Sequence, residues 1–597
     1  MDIKTKIVCT IGPSVTTKKK LELLVESGMN VARLNCSHGN HRQYTKVIRY
    51  LKEIRKQKGI PLAIMLDLRG PEIRIGKISG GSLKLRKGQK IRLVPAKILG
   101  NGKQISLTPT SVLTNAEPGM SILFDDGLIS AEITKVTKKG VDIVIKNSGK
   151  LMSNKGVNLP HYEHASSIGA ERDLKDILFG CSMDIDCIAL SFVQSVEQIE
   201  RVRKVLRKVK KESVFIISKI ESARGISNLD SIIQASDGIM IARGDLGVEL
   251  PITTIPRLQQ LIIYKCYQAA KPVITATQML ESMITNPRPT RAEVSDIANA
   301  VLDGSSAVML SGETAVGAYP IEAVRMMRSV IIEAEKEKNR INLLEGKSAL
   351  LDVPSSLAFA TAQSASSIKA KAIFAYTETG YTVRAMSRFR LKCCIIAITT
   401  NPKTYHQLSL SWGVIPLFQG SYNFKNSFQA ASDYSINAGI ISIGDFVIVV
   451  SRSPFDTQRQ MGMVTVMNIG DVIVRGLATG NNRTCGVAKI VTSKSSIESS
   501  NCEDIQEPYI LVTSQCNSSI LPLVEKASGL IVQNYPEDVE SEKFAHKIAK
   551  KKKIPLLLRA WNACSLIKEG ESIILDAKKG VVPVSYTHLR AHETSLH

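Results

Sequence analysis

The runs Ile216-Ile-Ser-Lys-Ile-Glu221 and Met240-Ile-Ala-Arg-Gly-Asp245 constrain the fold more than any other part of the chain. Each is an apolar stretch that breaks off into charge at its last residues. Runs of this length read as strands of a parallel sheet buried on both faces. Acids and a lysine at the carboxyl ends of consecutive buried strands are costly to hold unless they share a metal or a substrate. In a closed barrel of alternating strands and helices, those ends form the catalytic rim. Two carboxylates there suit Mg²⁺, a hard cation commonly bound by one or two acids plus substrate oxygens. A lysine beside them suits a phosphoryl group in transfer. The pattern is that of an enzyme.

The rest of the chain supplies the barrel. Strands are expected at Thr5–Ile11, Asn30–Asn35 and Leu62–Leu68, with helices over 17–27 and up to Lys58 between them. From Gly70 to about Pro160 the β/α rhythm gives way to short alternating runs with Gly, Lys and Asp turns, a β-rich insertion. It resumes with strands at Asp186–Phe192, Val214–Glu221, Gly238–Asp245, Val273–Gln278 and Ala307–Glu313. The fold class expected is therefore α/β, a (β/α)₈ barrel over 1–69 and 161–345 with an inserted β-barrel-like lid domain over 70–160. An α/β domain follows over 346–470, with strands Ala372–Tyr376, Cys394–Thr400, Val414–Phe418 and Phe446–Ser451. A further module over 471–583 has strands at Cys485–Val491, Pro508–Thr513, Gly529–Val532 and Ile554–Leu558. The last stretch, 584–597, reads as translated sequencing adapter, and its histidines are set aside.

Composition narrows the function classes. The 597 residues fit roughly three to five domains, and no apolar run approaches the ~18 residues of a membrane span. The start runs directly into a strand without a signal-peptide profile, and eleven cysteines lack paired metal spacing. A reducing cytoplasm is expected. The formal charge is +24, but aromatics are only 5% and do not interleave with the basic clusters at Lys18–Lys20, Lys208–Lys211 and Lys550–Lys553. Nucleic-acid stacking is therefore disfavoured against solvated helix faces and attraction of small anions.

The rim set spans six strands: Arg33, Asn35, Ser37 and His38 after the second, and Asp67, Arg69, Glu72 and Arg74 after the third. Lys219 and Glu221 end the fifth, Arg243, Gly244 and Asp245 the sixth, Thr277 and Gln278 the seventh, and Ser311 and Glu313 the eighth. The chain has no G-x-x-x-x-G-K-[ST] loop, so any nucleotide must be held by rim arginines and metal.

At these residues a resemblance emerges. Thr5-Lys-Ile-Val-Cys-Thr-Ile-Gly-Pro13, Asn30-Val-Ala-Arg-Leu-Asn-Cys-Ser-His-Gly39, Gly70-Pro-Glu-Ile-Arg74, Ile217-Ser-Lys-Ile-Glu221, Ala242-Arg-Gly-Asp-Leu-Gly-Val-Glu249 and Thr275-Ala-Thr-Gln-Met-Leu-Glu-Ser-Met283 resemble the pyruvate kinases, over residues 3 to about 470. Beyond 470 the chain is similar to the extra C-terminal module of some bacterial members, which resembles a swivelling phosphohistidine domain. The resemblance implies phosphoryl transfer from phosphoenolpyruvate to ADP, giving pyruvate and ATP at the last step of glycolysis, in an allosterically regulated homotetramer with no nucleic-acid or membrane partner.

Carried over by position, Glu221 and Asp245 hold Mg²⁺ or Mn²⁺, and Lys219 stabilises the phosphoryl group in flight. Arg33 contacts phosphate, Gly244 lies with Asp245 at the substrate, and Asn35, His38 and Arg74 lie on the nucleotide side. Thr277 lies near the enolate methylene, with Ser311 and Glu313 in a proton relay. Asn35, Ser37, Asp67 and the Leu68 carbonyl form a K⁺ shell, to which Glu72 is linked. Here the chain departs from the commoner Thr-Lys, carrying Leu68 and Arg69. Thr377, Thr379, Gly380 and Thr382 match an effector-phosphate loop at a helix start. The companion loop at Ser451-Arg-Ser-Pro-Phe-Asp456 is altered, and the hinge at Asn158–Gly169 lacks its second proline. In the last module Phe544 falls where the phosphohistidine would stand, so His546 is read as surface or packing. Two rivals are another Mg²⁺-dependent barrel handling phosphoenolpyruvate or pyruvate, and a catalytically silent metabolite sensor.

Overall fold

Eight strands close into a parallel barrel: Lys6–Thr10, Val31–Asn35, Ala63–Asp67, Cys187–Leu190, Phe215–Ile220, Gly238–Ala242, Val273–Ala276 and Ala307–Leu310, each beside its neighbours in chain order. This computed structural model describes residues 3–583, apart from 71–72, 109–115, 126, 138, 161–170, 338–352, 422, 453–461, 471, 481 and 493–507. The strands read as unbroken apolar runs because both faces are covered. Val8, Val31, Met65, Ala189, Ile217, Met240, Ile274 and Met309 fill the interior. Ile7, Leu34, Ile64, Ile188, Ile216, Ile239 and Val308 face outward into the larger core shared with the helices. The barrel register aligns Asn35 with Asp67 and Asp67 with Ala189, so the ends of three strands meet at one level.

Every barrel strand is shorter than the sequence suggested, and in two of them the loss at the carboxyl end moves an expected site acid off the strand and into a helix. The sixth ends at Ala242, in register with Ala276 of the seventh, and helix Arg243–Glu249 begins at once. The eighth ends at Leu310 and is followed by the short helix Gly312–Ala315. Asp245 and Glu313 therefore stand in first helical turns rather than on strand ends. The apolar run continues in sequence, but the ladder stops at the rim.

Between the third and fourth barrel strands, Arg74–Asn158 forms a seven-stranded sheet and a two-stranded one around a core of its own, including Ile91, Leu93, Ile122, Phe124, Ile133 and Ile143. Among its described strands the pairing is antiparallel except between Lys90–Val94 and Gln104–Thr108, and an isolated parallel bridge joins Ile78 to Gly100.

The chain divides into two compact units, Met1–Gln363 with Ala375–Tyr422 and Pro454–Gly462, and Ser364–Phe374 with Asn423–Ser453 and Met463–His597. In the first, the segment 384–407 closes the floor of the barrel. Arg388 donates to the carbonyl of Gln268, the last residue of helix Ile255–Gln268, at 3.1 Å. Arg390 donates to the carbonyl of Gly304, just past helix Arg291–Leu302. Lys403 donates to the Ile185 carbonyl at 2.8 Å and pairs with Asp184 and Asp186, beyond helix Glu171–Ser182. Helix carboxyl ends carry orphan carbonyls and partial negative charge, and three cations meet them here.

In the second unit an eight-stranded sheet holds the expected strands as a parallel set, Arg483–Val491, Tyr509–Thr513, Gly529–Val532 and Leu556–Leu558. Four short strands complete it: Val472–Arg475, Leu477–Ala478, Ser572–Asp576 and Val581–Pro583. Lys579 pairs with Asp445 at 3.1 Å and donates to the Ile443 carbonyl at 2.6 Å, while Arg475 stacks on Phe446. Among the described residues no helix is long and apolar enough to cross a membrane.

Candidate active site

Lys219 is the centre of the rim. Its Nζ lies 3.1 Å from Glu221 Oε1 and 3.3 Å from Asp67 Oδ1, and donates to Ser191 Oγ at 2.8 Å. Ser191 in turn donates to the Leu68 carbonyl at 2.7 Å. On the other side of Asp67, Arg33 Nε donates to Oδ2 at 2.6 Å and Arg33 Nη1 to Thr10 Oγ1 at 2.8 Å. Arg33, Asp67, Lys219 and Glu221 are all buried. Buried charges hold together only when paired and hydrogen-bonded, and this chain of contacts supplies both.

The electrostatics follow from that packing. Burial alone would depress the Lys219 ammonium, but Asp67 and Glu221 together hold it above its ordinary value. Burial works against ionised Asp67, yet Lys219 and Arg33 keep its carboxyl low. Glu221 goes the other way: burial raises it to about 7 despite Lys219, and Asp245 adds to the rise. Its Oε2 also accepts the Phe192 N–H at 2.6 Å. A carboxyl raised in part by a second carboxylate beside it fits a divalent cation shared with that neighbour. Among the described residues no cluster of three or more His, Cys, Asp or Glu forms a ready cage. Glu221 and Asp245 could thus share a divalent cation only with oxygens from substrate or water to complete its shell.

Across the rim, the backbone is strained at Thr277 and Gln278, two consecutive non-glycine residues with φ of 68° and 54°. A β-branched residue in the left-handed region is costly and persists only where neighbours impose it. Arg243 imposes it by donating to the Thr277 carbonyl at 2.7 Å and the Ala276 carbonyl at 3.3 Å, itself held by Asp296 at 2.7 Å. The Thr277 hydroxyl accepts the Gly244 N–H at 2.9 Å, which fixes it at the start of helix Arg243–Glu249. Glu313 is buried and shifted upward by burial, and both its oxygens are engaged: Leu280 N–H donates at 2.9 Å and Ser311 N–H at 2.7 Å.

The outlying residues are placed less tightly. Asn35 Oδ1 accepts the Ser37 N–H at 3.1 Å, and Leu68 is buried next to Asp67. His38 is exposed on the turn beyond, and Arg74 donates to the Asn154 carbonyl within the insertion. Arg69 Nε stands 3.9 Å from Asp176. In the effector loop, Gly380 (φ 77°) precedes helix Tyr381–Ser387 and its N–H donates to Thr377 Oγ1 at 2.9 Å. Tyr381 N–H approaches Thr379 Oγ1 at 3.5 Å, and Thr382 follows in the first turn. Phe544 packs half-buried against the core of the second unit, and His546 is exposed. Glu72, residues 161–169 of the hinge, 453–456 of the second effector loop and the terminal 584–597 lie outside the described residues.

Sequence reasoning missed Thr10, Ser191, Arg243 as a support, and the Phe192 N–H. Two of these had a signal. The rim set named nothing on strands one and four, and Thr10 and Ser191 are the polar residues at or just past those strand ends.

Comparison with known proteins adds the family. A model described as pyruvate kinase, barrel domain, matches residues 3–324, and one described as pyruvate kinase, alpha/beta domain, matches 355–467. A pyruvate kinase of Sporosarcina psychrophila is 38% identical over 586 residues, 97% of this chain and 98% of that one. That of Geobacillus stearothermophilus is 38% identical over 587 residues, 98% and 99% of the two chains. The crystal structure of a pyruvate kinase from Cryptosporidium parvum matches with a TM-score of 0.73 at 37% identity, covering 78% of this chain and 96% of that one. The chain belongs to the pyruvate kinase family.

Proposed function

We propose that this chain transfers the phosphoryl group of phosphoenolpyruvate to ADP, giving pyruvate and ATP. The observation that carries the residue roles is Lys219, a buried ammonium between Asp67 and Glu221 at the mouth of the barrel. In the reaction the bond from phosphorus to the enol oxygen breaks, and a bond to a terminal oxygen of ADP forms. Charge then spreads over the oxygens of the group in transit. Lys219 and Arg33 are preorganised cations at that point and need no solvent reorganisation to act. A divalent cation on Glu221 and Asp245 would supply further charge neutralisation and align the phosphoryl oxygens.

The enolate left behind takes a proton at its methylene carbon. Thr277 is the hydroxyl we assign to that face, held by Gly244 and Arg243 in its strained conformation. Glu313 orients Ser311 and Leu280 through its two occupied oxygens, which supports a positioning role next to the relay. Asn35, Ser37, Asp67 and the Leu68 carbonyl are oxygen donors of the type K⁺ takes, and three of the four come from strands in register or the residue after. His38 and Arg74 are assigned to the nucleotide side.

The loop Thr377–Thr382 is assigned to a phosphorylated effector, with hydroxyls and amides gathered at a helix start. Homotetrameric assembly and a cytoplasmic location complete the reading. The last module, read as similar to a swivelling domain, is assigned no phosphohistidine, because Phe544, half-buried against its core, stands at that position. Pyruvate formation followed by coupled lactate dehydrogenase, with and without ADP, tests the function. Pyruvate release that proceeds equally without ADP would instead indicate another phosphoenolpyruvate-handling barrel.

A further inference from the structure

The second unit contains a cleft of about 390 Å³ with no part in the chemistry above. It is lined on one side by helix Val539–Lys552 and the turn after it, through His546, Lys547, Lys550 and Lys553. Thr479, Gly480 and Asn482 line the other side, on the loop before strand Arg483–Val491. Its size falls within the range of small-molecule sites, ~300–1,000 Å³. Among the described residues, no aspartate, glutamate, phenylalanine, tyrosine or tryptophan lines it, and His546 supplies its one ring.

Lysines at a helix carboxyl end have an ordinary explanation, since they offset the helix dipole. That account covers Lys550, Lys551 and Lys552 in the last turn. It does not cover Lys547 a turn earlier, or Lys553 beyond the helix in a left-handed conformation (φ 57°). Spacing separates the two sets. Lys547, Lys550 and Lys553 recur every third residue and line the cleft, whereas Lys551 and Lys552 do not, and Lys552 reaches instead to the Glu525 carbonyl. Like charges three residues apart repel along a helix face. Among the described residues, no carboxylate lies within ion-pairing distance of the three cleft lysines.

We infer that this cleft binds a small phosphorylated anion, non-covalently, in the C-terminal module. Three exposed lysines line it, with Asn482 and Thr479, whose hydroxyl donates to the Leu556 carbonyl, as neutral polar residues opposite. Without a Phe, Tyr or Trp on its wall the cleft offers base stacking only on the His546 ring, which favours a sugar phosphate or inorganic pyrophosphate over a nucleotide. Phe544 stands where the resemblance places a phosphohistidine, so the ligand is read as held and not transferred. The site is separate in sequence from both the rim and the loop 377–382.

Lysine footprinting on the full chain tests this. Acetylation of Lys547, Lys550 and Lys553, read by mass spectrometry, should slow several-fold in millimolar pyrophosphate, and Lys551 and Lys552 should be unaffected. A parallel arm with glycerol 3-phosphate distinguishes a phosphate ester from a polyphosphate. The K547Q/K550Q/K553Q variant should lose one pyrophosphate site per chain by equilibrium dialysis while keeping wild-type turnover, and K551Q/K552Q should keep that site. Equal acetylation with and without both anions would overturn the inference. So would equal loss of binding in the two variants, which would show only general attraction to a basic surface. Stronger protection of the same lysines by a single-stranded oligonucleotide than by either anion would reassign the face to nucleic acid.

Discussion

A lysine held between two buried carboxylates can be removed without removing the metal ligands beside it, and this separates chemistry from binding. Lys219→Met should lower kcat by several orders of magnitude, a loss of ~3 kcal/mol or more of transition-state stabilisation. Mn²⁺ binding, followed by electron paramagnetic resonance, should remain, since Glu221 and Asp245 are untouched. Turnover near that of the wild type would take the lysine out of the mechanism. The K⁺ assignment rests on individual oxygens as well. With Asn35 and Asp67 in register and the Leu68 carbonyl following, activity should be higher in K⁺ than in Na⁺ at matched ionic strength. Equal rates would mean that Leu68 and Arg69 mark a chain independent of the monovalent ion.

Elements decide how those residues are presented. His406 follows Tyr405 in helix Pro402–Gln407 at the barrel floor, where its Nδ1 accepts the Leu62 N–H at 3.3 Å. Burial, with Arg55 adding to it, lowers this imidazole to about 4. A histidine kept neutral in the fold contributes stability above its unfolded value of about 6.5, and that contribution is lost as pH falls from there toward 4. Thermal denaturation scanned between those limits should show a steeper decline in the wild type than in His406→Gln. Parallel curves would assign the acid sensitivity to other groups. At the other end of this segment, Thr382→Glu places a carboxylate at the start of helix Tyr381–Ser387. It should abolish activation by a phosphorylated effector and spare basal turnover. Activation that survives would move the effector to another loop.

Elements were also where sequence reading reached its limit. The eight barrel strands were legible because burial on both faces leaves continuous apolar runs, and Lys219 and Glu221 were legible because charge interrupts one. The helical settings of Asp245 and Glu313 were not, since an apolar stretch does not record where a ladder stops. Arg243 read as a rim charge, but its service to Thr277 depends on Asp296, more than fifty residues away in sequence and joined only by folding. The short strands Val472–Arg475 and Val581–Pro583 were missed because each is too brief to show alternation.

For the whole molecule, the catalytic set from Arg33 to Glu313 lies entirely within the first unit. Deleting residues 474 onward should therefore spare most of kcat. It should lower the melting temperature, because Asp445 loses Lys579 and Phe446 loses the stacked Arg475. Loss of the chemistry in a folded truncation would show that the last module acts on the rim. The closed floor of the barrel carries a different lesson. Arg388, Arg390 and Lys403 meet the ends of three barrel helices from a segment more than fifty residues beyond the last of them. An engineer who lifted the barrel out as a freestanding scaffold would take the catalytic face intact and leave its foundation behind. In this chain, barrel and floor are one folding part.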